Sequence, residues 1–188
     1  MEKNWPYLTA DIPPLALTAR QTEEDFEVEE IPAYEPCGEG DHVYFRIEKK
    51  GISTHEACRR IAKVMNVPAK EIGAAGLKDA RAVTRQWLSL EHADPARIQE
   101  LQIPDLCVLT VTRHRNKLRI GHLKGNRFVL KLRGMEAARL PDFRTVLSRL
   151  QEKGVPNYFG AQRFGMRGDT ALTGAALMRE DYEAAARH

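Results

Sequence analysis

DFEVEEIPAYEPCGEGDHVYFRIEKK, residues 25–50, carries two runs in which apolar side chains alternate with polar or acidic ones. The first passes through Phe26, Val28 and then Ile31, and the second starts at His42. Strand side chains point alternately to opposite faces, so a period of two predicts two strands, and the turn EPCGEGD between them predicts a hairpin. Downstream, THEACRRIAKVMNV, residues 54–67, repeats apolar positions at helical spacing through Ala57, Ile61, Ala62 and Met65, between a Ser53 or Thr54 cap and Pro68. After the short segment PAKEIGAAG, further strands are predicted at 82–91, 106–120 and 126–134, and an amphipathic helix at 141–153 closed by Gly154. Five strands with a few helices point to an α+β or α/β mixed sheet.

The chain has 188 residues, 43% of them hydrophobic, which suffices for one sizeable core or a core with a smaller lobe and excludes disorder and fibres. Its net charge of +3 hides an asymmetry: residues 1–48 carry −9 and the remainder +12. The three cysteines, Cys37, Cys58 and Cys107, are odd in number and widely spaced, so they are expected to be reduced thiols that mostly fill the core. The N-terminus has no signal-type apolar region and no stretch is long enough for a membrane helix, so a soluble cytoplasmic protein without a membrane partner is expected. The helix-forming run EDYEAAARH stops at His188 without a cap, as though inside an element.

From Leu106 to Met135 there is no acid and there are eight Lys or Arg. If the strand runs from 106 to 120, Arg113, Arg115, Lys117 and Arg119 share one face. Two readings fit such a row: a surface for a phosphate backbone, bound by counterion release, or a solvated sheet face. Phe128 lies in this run, and Tyr158, Phe159 and Phe164 lie with Arg163 and Arg167 in a Gly-rich stretch; rings of this kind either stack on unpaired bases or fill a core.

GLKDARAVTRQWLSL, residues 76–90, places Asp79 after a Gly-containing loop and before a strand, flanked by Lys78, Arg81 and Arg85. The acid could face a sugar while the cations hold its phosphate, or it could be a turn residue beside a solvated ion pair. Competing motifs fail: His55-Glu56 lacks the second His of HExxH, and Gly38-Glu39-Gly40 does not extend to GxGxxG.

The KD pair followed by AxTxQ resembles the catalytic loop of the TruD family of tRNA pseudouridine synthases. DFEVEE at 25–30, HRNKLRIGHLKGNRF at 114–128 and KGVPNYFGAQRFG at 153–165 resemble three other signatures of that family, in its order. The resemblance implies an α+β fold with a mixed, mainly antiparallel sheet and flanking helices, incomplete at its C-terminal side because the family's catalytic domain is built from both ends of a longer chain. Residues 1–153 would be its N-terminal part and 154–188 the start of the inserted family-specific domain. The implied activity is isomerisation of uridine-13 in the D arm of tRNA, without metal or other cofactor. By similarity Asp79 is the catalytic carboxylate, and Phe26 and Asn126 contact substrate; Phe128 is added as a stacking candidate. Lys78, Arg81, Arg113, Arg115 and Lys117 are inferred to bind the RNA backbone. A monomer is expected, with tRNA as its partner. The alternative is an RNA-binding module without catalysis, or an inactive truncated form of the enzyme.

Overall fold

A computed structural model of the chain describes residues 7–155 and 168–187. The chain divides into two compact units, residues 15–137 and residues 1–14 with 138–188. The sequence-based boundary at 153/154 lies later than this division, so the helix expected at 141–153 belongs to the second unit.

The larger unit is built on a six-stranded sheet. Its long strands are β2 (Phe26–Pro32), β3 (His42–Lys50), β5 (Val83–Glu91), β6 (Leu106–His114) and β7 (Leu123–Leu130), ordered β6-β3-β5-β2-β7, and the two-residue β4 (Gly73–Ala74) pairs with β5. The short strands β1 (Thr18–Ala19) and β8 (Leu132–Arg133) pair separately. All strand pairings are antiparallel except β2 with β5. The mixed, mainly antiparallel expectation therefore holds.

The hairpin does not form. β2 and β3 are strands, as their alternation predicts, but β5 lies between them. Across this arrangement Arg85 on β5 reaches Glu27 of β2 (3.1 Å) and Glu48 of β3 (2.7 Å), so one guanidinium bridges carboxylates on both neighbouring strands. The loop expected to be a tight turn bonds elsewhere, with the Gly38 N–H donating to the Arg113 carbonyl.

The opposite face of the sheet is the core. Helix α1 (Thr54–Met65) starts where the Ser53 hydroxyl accepts from the Glu56 N–H at 3.1 Å and stops at Asn66, in the left-handed conformation at φ +57°. Its buried face, Ala57, Ile61, Ala62 and Met65, packs on Val43, Phe45, Ile47, Leu88 and Leu90 of β3 and β5. Burying each large aliphatic side chain contributes about 1.5–3 kcal/mol, which fixes α1 on the sheet. Helix α2 (Pro95–Gln99) adds Ile98 to the same core. Two of the three cysteines lie outside it: Cys37 and Cys107 are exposed, so only the half-buried Cys58 approaches the expected role of core filler.

The strand expected at 106–120 ends at His114. Beyond it the chain turns inward to bury Leu118, whose N–H donates to the Ser89 hydroxyl at 3.0 Å. Gly73 lies under this crossing: a Cβ there would stand 2.3 Å from the Leu118 carbonyl oxygen, so no other residue fits. Arg113, Arg115, Lys117 and Arg119 consequently do not form one row on a strand face.

In the smaller unit, α3 (Leu140–Lys153) matches the predicted helix and closes at Gly154, whose φ is +79°. Arg149 pairs with Asp11, and Arg139 donates to the Pro13 carbonyl at 2.8 Å. Helices α4 (Thr170–Met178) and α5 (Tyr182–Arg187) follow. Tyr158, Phe159, Arg163, Phe164 and Arg167 lie outside the described residues. No helix among the described residues is long and apolar enough to cross a membrane.

Candidate active site

The loop from β4 to β5 is held by its main chain. The Lys78 N–H donates to the Thr54 hydroxyl at 2.9 Å, and that hydroxyl donates to the Gln86 side-chain carbonyl at 2.9 Å. Lys49 is buried on β3, with its ammonium donating to the Asp79 carbonyl at 2.9 Å and the Ile52 carbonyl at 2.6 Å. Burial pushes the Lys49 pKa down to about 8, a shift opposed by the nearby Asp79 carboxylate and reinforced by Lys78. The Lys78 ammonium lies 2.7 Å from a Glu30 carboxylate oxygen, with both side chains almost fully buried. The other Glu30 oxygen accepts from the Trp87 N–H at 3.1 Å.

Asp79 therefore has a fixed backbone and an exposed carboxylate, its side chain 56% exposed. Its one ion-pair partner among the described residues is Arg20, at 3.6 Å, and the buried Lys49 ammonium also feels its charge. The Arg20 guanidinium also lies 4.1 Å from the centre of the Phe26 ring, which stacks on Phe128 with centroids 5.9 Å apart and planes 4° from parallel. Val28 pairs with Phe128 and Glu30 with Asn126, so Phe26, Phe128 and Asn126 share one face where β2 meets β7. The buried side-chain oxygen of Asn126 has no hydrogen-bond partner among the described residues. Arg20 thus links the acid to the aromatic pair, and Glu30 with Lys78 links the loop to the strand opposite Asn126.

The segment bearing Arg20 is itself anchored. Asp25 is fully buried and accepts from Arg133 at 2.7 and 2.9 Å and from the Gln21 and Thr22 N–H groups at 3.1 and 3.2 Å. The Arg133 hydrogen bonds hold its carboxyl at about 2, below the usual carboxylate range.

Of the expected backbone-binding cations, Arg81 is exposed with no side-chain partner among the described residues. Lys78 is buried beneath the loop, where it cannot face RNA. Arg113 donates to the Gly40 carbonyl at 3.1 Å, Arg115 pairs with Glu39, and Lys117 donates to the Lys70 carbonyl at 3.1 Å. Sequence reasoning missed Arg20, Lys49, Thr54 and Asp25. Two of them had a signal bearing on the site: Arg20 as one of three basic residues in the acidic first 48, and Asp25 as the first residue of the DFEVEE segment. No group of three His, Cys, Asp or Glu side chains among the described residues is placed to hold a metal.

A carboxylate projecting from a clamped loop, beside a guanidinium and a stacked aromatic pair, can attack or deprotonate a sugar while a planar base lies against the rings. The family model for tRNA pseudouridine synthase D (TruD) matches residues 2–188. The chain belongs to the TruD family. It is 47% identical over 180 residues to the tRNA pseudouridine synthase D of Geotalea daltonii and 48% identical over 179 residues to that of Geobacter sulfurreducens. These matches cover 96% and 95% of the chain but 45% and 44% of the relatives, so this TruD chain spans under half their length. The crystal structure of a TruD protein from Methanosarcina mazei superposes with a TM-score of 0.81 at 33% identity, covering 96% of this chain and 43% of that one.

Proposed function

We propose that the chain supplies the nucleophile-bearing portion of a tRNA pseudouridine synthase that isomerises uridine-13 of the D arm, with Asp79 as nucleophile and without a cofactor. The observation that carries the reading is the family membership together with the one exposed carboxylate of the KD loop, held by Arg20 against Phe26 and Phe128. In the isomerisation the bond from uracil N1 to ribose C1′ breaks, the base rotates while held, C5 bonds to C1′, and the C5 proton is lost as N1 gains one. Asp79 attacks C1′, or removes a sugar proton to give a glycal; either route stabilises a sugar centre that becomes electron-poor as the base leaves. The target must leave the tRNA stack, at a cost of a few kcal/mol that stacking against Phe26 and Phe128 offsets.

The outer edge of β7 has no strand partner among the described residues, and Phe128, Val129 and Leu130 on it are 59%, 47% and 47% exposed. In this proposal the rest of the catalytic sheet adds there, residues 154–188 begin the inserted domain, and the protein acts on tRNA as a monomer. The test is to incubate the full-length protein with unmodified tRNA and map pseudouridine by carbodiimide primer extension. Conversion at uridine-13 that disappears with Asp79→Asn supports the proposal. Conversion that survives the substitution overturns the role of Asp79, and salt-sensitive tRNA binding without product makes the chain a binding module.

A further inference from the structure

At the far end of β5 from Asp79, an open cleft of about 520 Å³ is lined by His42, Glu91, Asn116, Lys117, Arg119 and His122. Asp79 precedes the first residue of β5 and Glu91 is its last. At about 3.3 Å per residue, the strand sets the cleft roughly 25 Å from the catalytic carboxylate. It is a separate site.

Its charges are available. Arg119 is exposed, and its side chain makes no hydrogen bond or ion pair with any described residue. The Lys117 ammonium touches only the Lys70 carbonyl, so neither cation is neutralised by an acid among the described residues. Arg113 and Arg115, earlier in the same stretch, are by contrast engaged with Gly40 and Glu39. The cations stand on a turn that is fixed rather than floppy: the Tyr44 hydroxyl donates to the Asn116 carbonyl at 2.8 Å, and the Leu118 N–H is held by Ser89. His122 has Nδ1 engaged with the Tyr34 hydroxyl at 2.7 Å, which leaves Nε2 for a ligand. His42 is 8% exposed, and its buried Nδ1 has no partner among the described residues. The single acid of the lining, Glu91, is 3.6 Å from His42 and 3.8 Å from His92.

Two unneutralised cations on a rigid turn, flanked by imidazoles, match a phosphate. The lining contains no Phe, Tyr or Trp, and its two unneutralised cations favour a backbone phosphate over a base. We propose that this cleft holds a backbone phosphate of the RNA substrate, with Lys117 and Arg119 as its cations, at a point well away from the target nucleotide. The inference rests on the tRNA reading above and adds to it a second point of attachment, which would set how the RNA lies along β5.

The test is filter binding of an unmodified tRNA transcript to the full-length protein across a KCl series. Lys117→Ala/Arg119→Ala is expected to raise Kd by about 10- to 100-fold and to reduce the slope of log Kd against log salt by about 2, one for each cation removed from the phosphate backbone. Arg119→Lys should retain most of the affinity, Glu91→Gln should tighten binding, and Lys63→Ala on the exposed side of α1 should change nothing. If the double variant unfolds, Arg119→Glu replaces it, since the Arg119 side chain supports no intramolecular bond to the described residues. Unchanged Kd and slope in variants of a wild type that does bind tRNA overturn this site alone. A wild type that neither binds nor converts tRNA overturns the tRNA reading and the cleft with it.

Discussion

Lys78 and Asp79 are neighbours in the chain, yet their side chains occupy opposite environments. The ammonium of Lys78 is 3% exposed and lies 2.7 Å from Glu30, whereas the carboxylate of Asp79 is 56% exposed and lies 3.6 Å from Arg20. A buried pair is costly to break, because removing one partner leaves an uncompensated charge in a medium of low polarity. An exposed pair contributes little to stability and is free to serve another purpose. The underside of the loop therefore carries its rigidity, and in the proposed reaction the upper side carries its chemistry. Substitutions below should unfold the protein, and substitutions above should silence it while leaving it folded.

The largest effect is expected above the loop. Asp79→Asn should lower pseudouridine formation by roughly 10⁴-fold or more in a single-turnover assay, with stability in urea within about 0.5 kcal/mol of wild type. Below the loop, Glu30→Ala should cost about 3–5 kcal/mol in urea unfolding, and the double change Lys78→Met/Glu30→Leu should recover much of it. A wild-type midpoint for Glu30→Ala would erase the contrast.

The next effect is a pH dependence. Lys49 has a folded pKa of about 8 against an ordinary value of 10.5, so between these values the unfolded state holds the extra proton. Stability should therefore rise with pH through this window, by at most about 3 kcal/mol from this residue, and the burial cost should be fully present below it. The difference between wild type and Lys49→Met, measured by denaturation from pH 7 to 11, isolates the contribution; parallel curves would refute it.

Arg20→Ala should leave the fold within about 1 kcal/mol but slow conversion by roughly 10- to 100-fold, since the acid loses the group that orients it toward the aromatic pair. The smallest effect belongs to Arg115→Ala. Arg115 pairs on the surface with Glu39, so stability in urea should change by about 0.5 kcal/mol or less.

The strands were legible in the sequence because alternation is local, whereas their neighbours were not. Nothing within residues 25–50 reveals that Arg85, far downstream, will stand between Glu27 and Glu48. The basic stretch misled for the same reason: its cations follow strand spacing, but Leu118 is buried with Tyr44, Ala75 and Trp87, and the strand ends at His114. Asp79 was singled out because its neighbours in sequence carry the pattern. Arg20 and Lys49 reach Asp79 across gaps of 30 residues or more, so no short motif contains them with it, and Asp25, although it opens the DFEVEE segment, is held by Arg133 from 108 residues downstream.

The placement of β5 between β2 and β3 also has a bearing on how the molecule assembles. As the chain emerges, β2 has no partner until Val83–Glu91 is made, and its other edge stays empty until Leu123–Leu130 follows. The ion pair from Asp25 to Arg133 closes a loop of 108 residues, while β3, α1, β5 and β6 associate over shorter separations. Contacts that close long loops form late and slow the folding reaction. Residues 42–114 would thus acquire protection from hydrogen exchange first, with the Asp79 loop already resting on Lys49 and Thr54. Phe26 and Phe128 would meet only in the last step, so the stacked aromatic pair is completed after the Asp79 loop is in place.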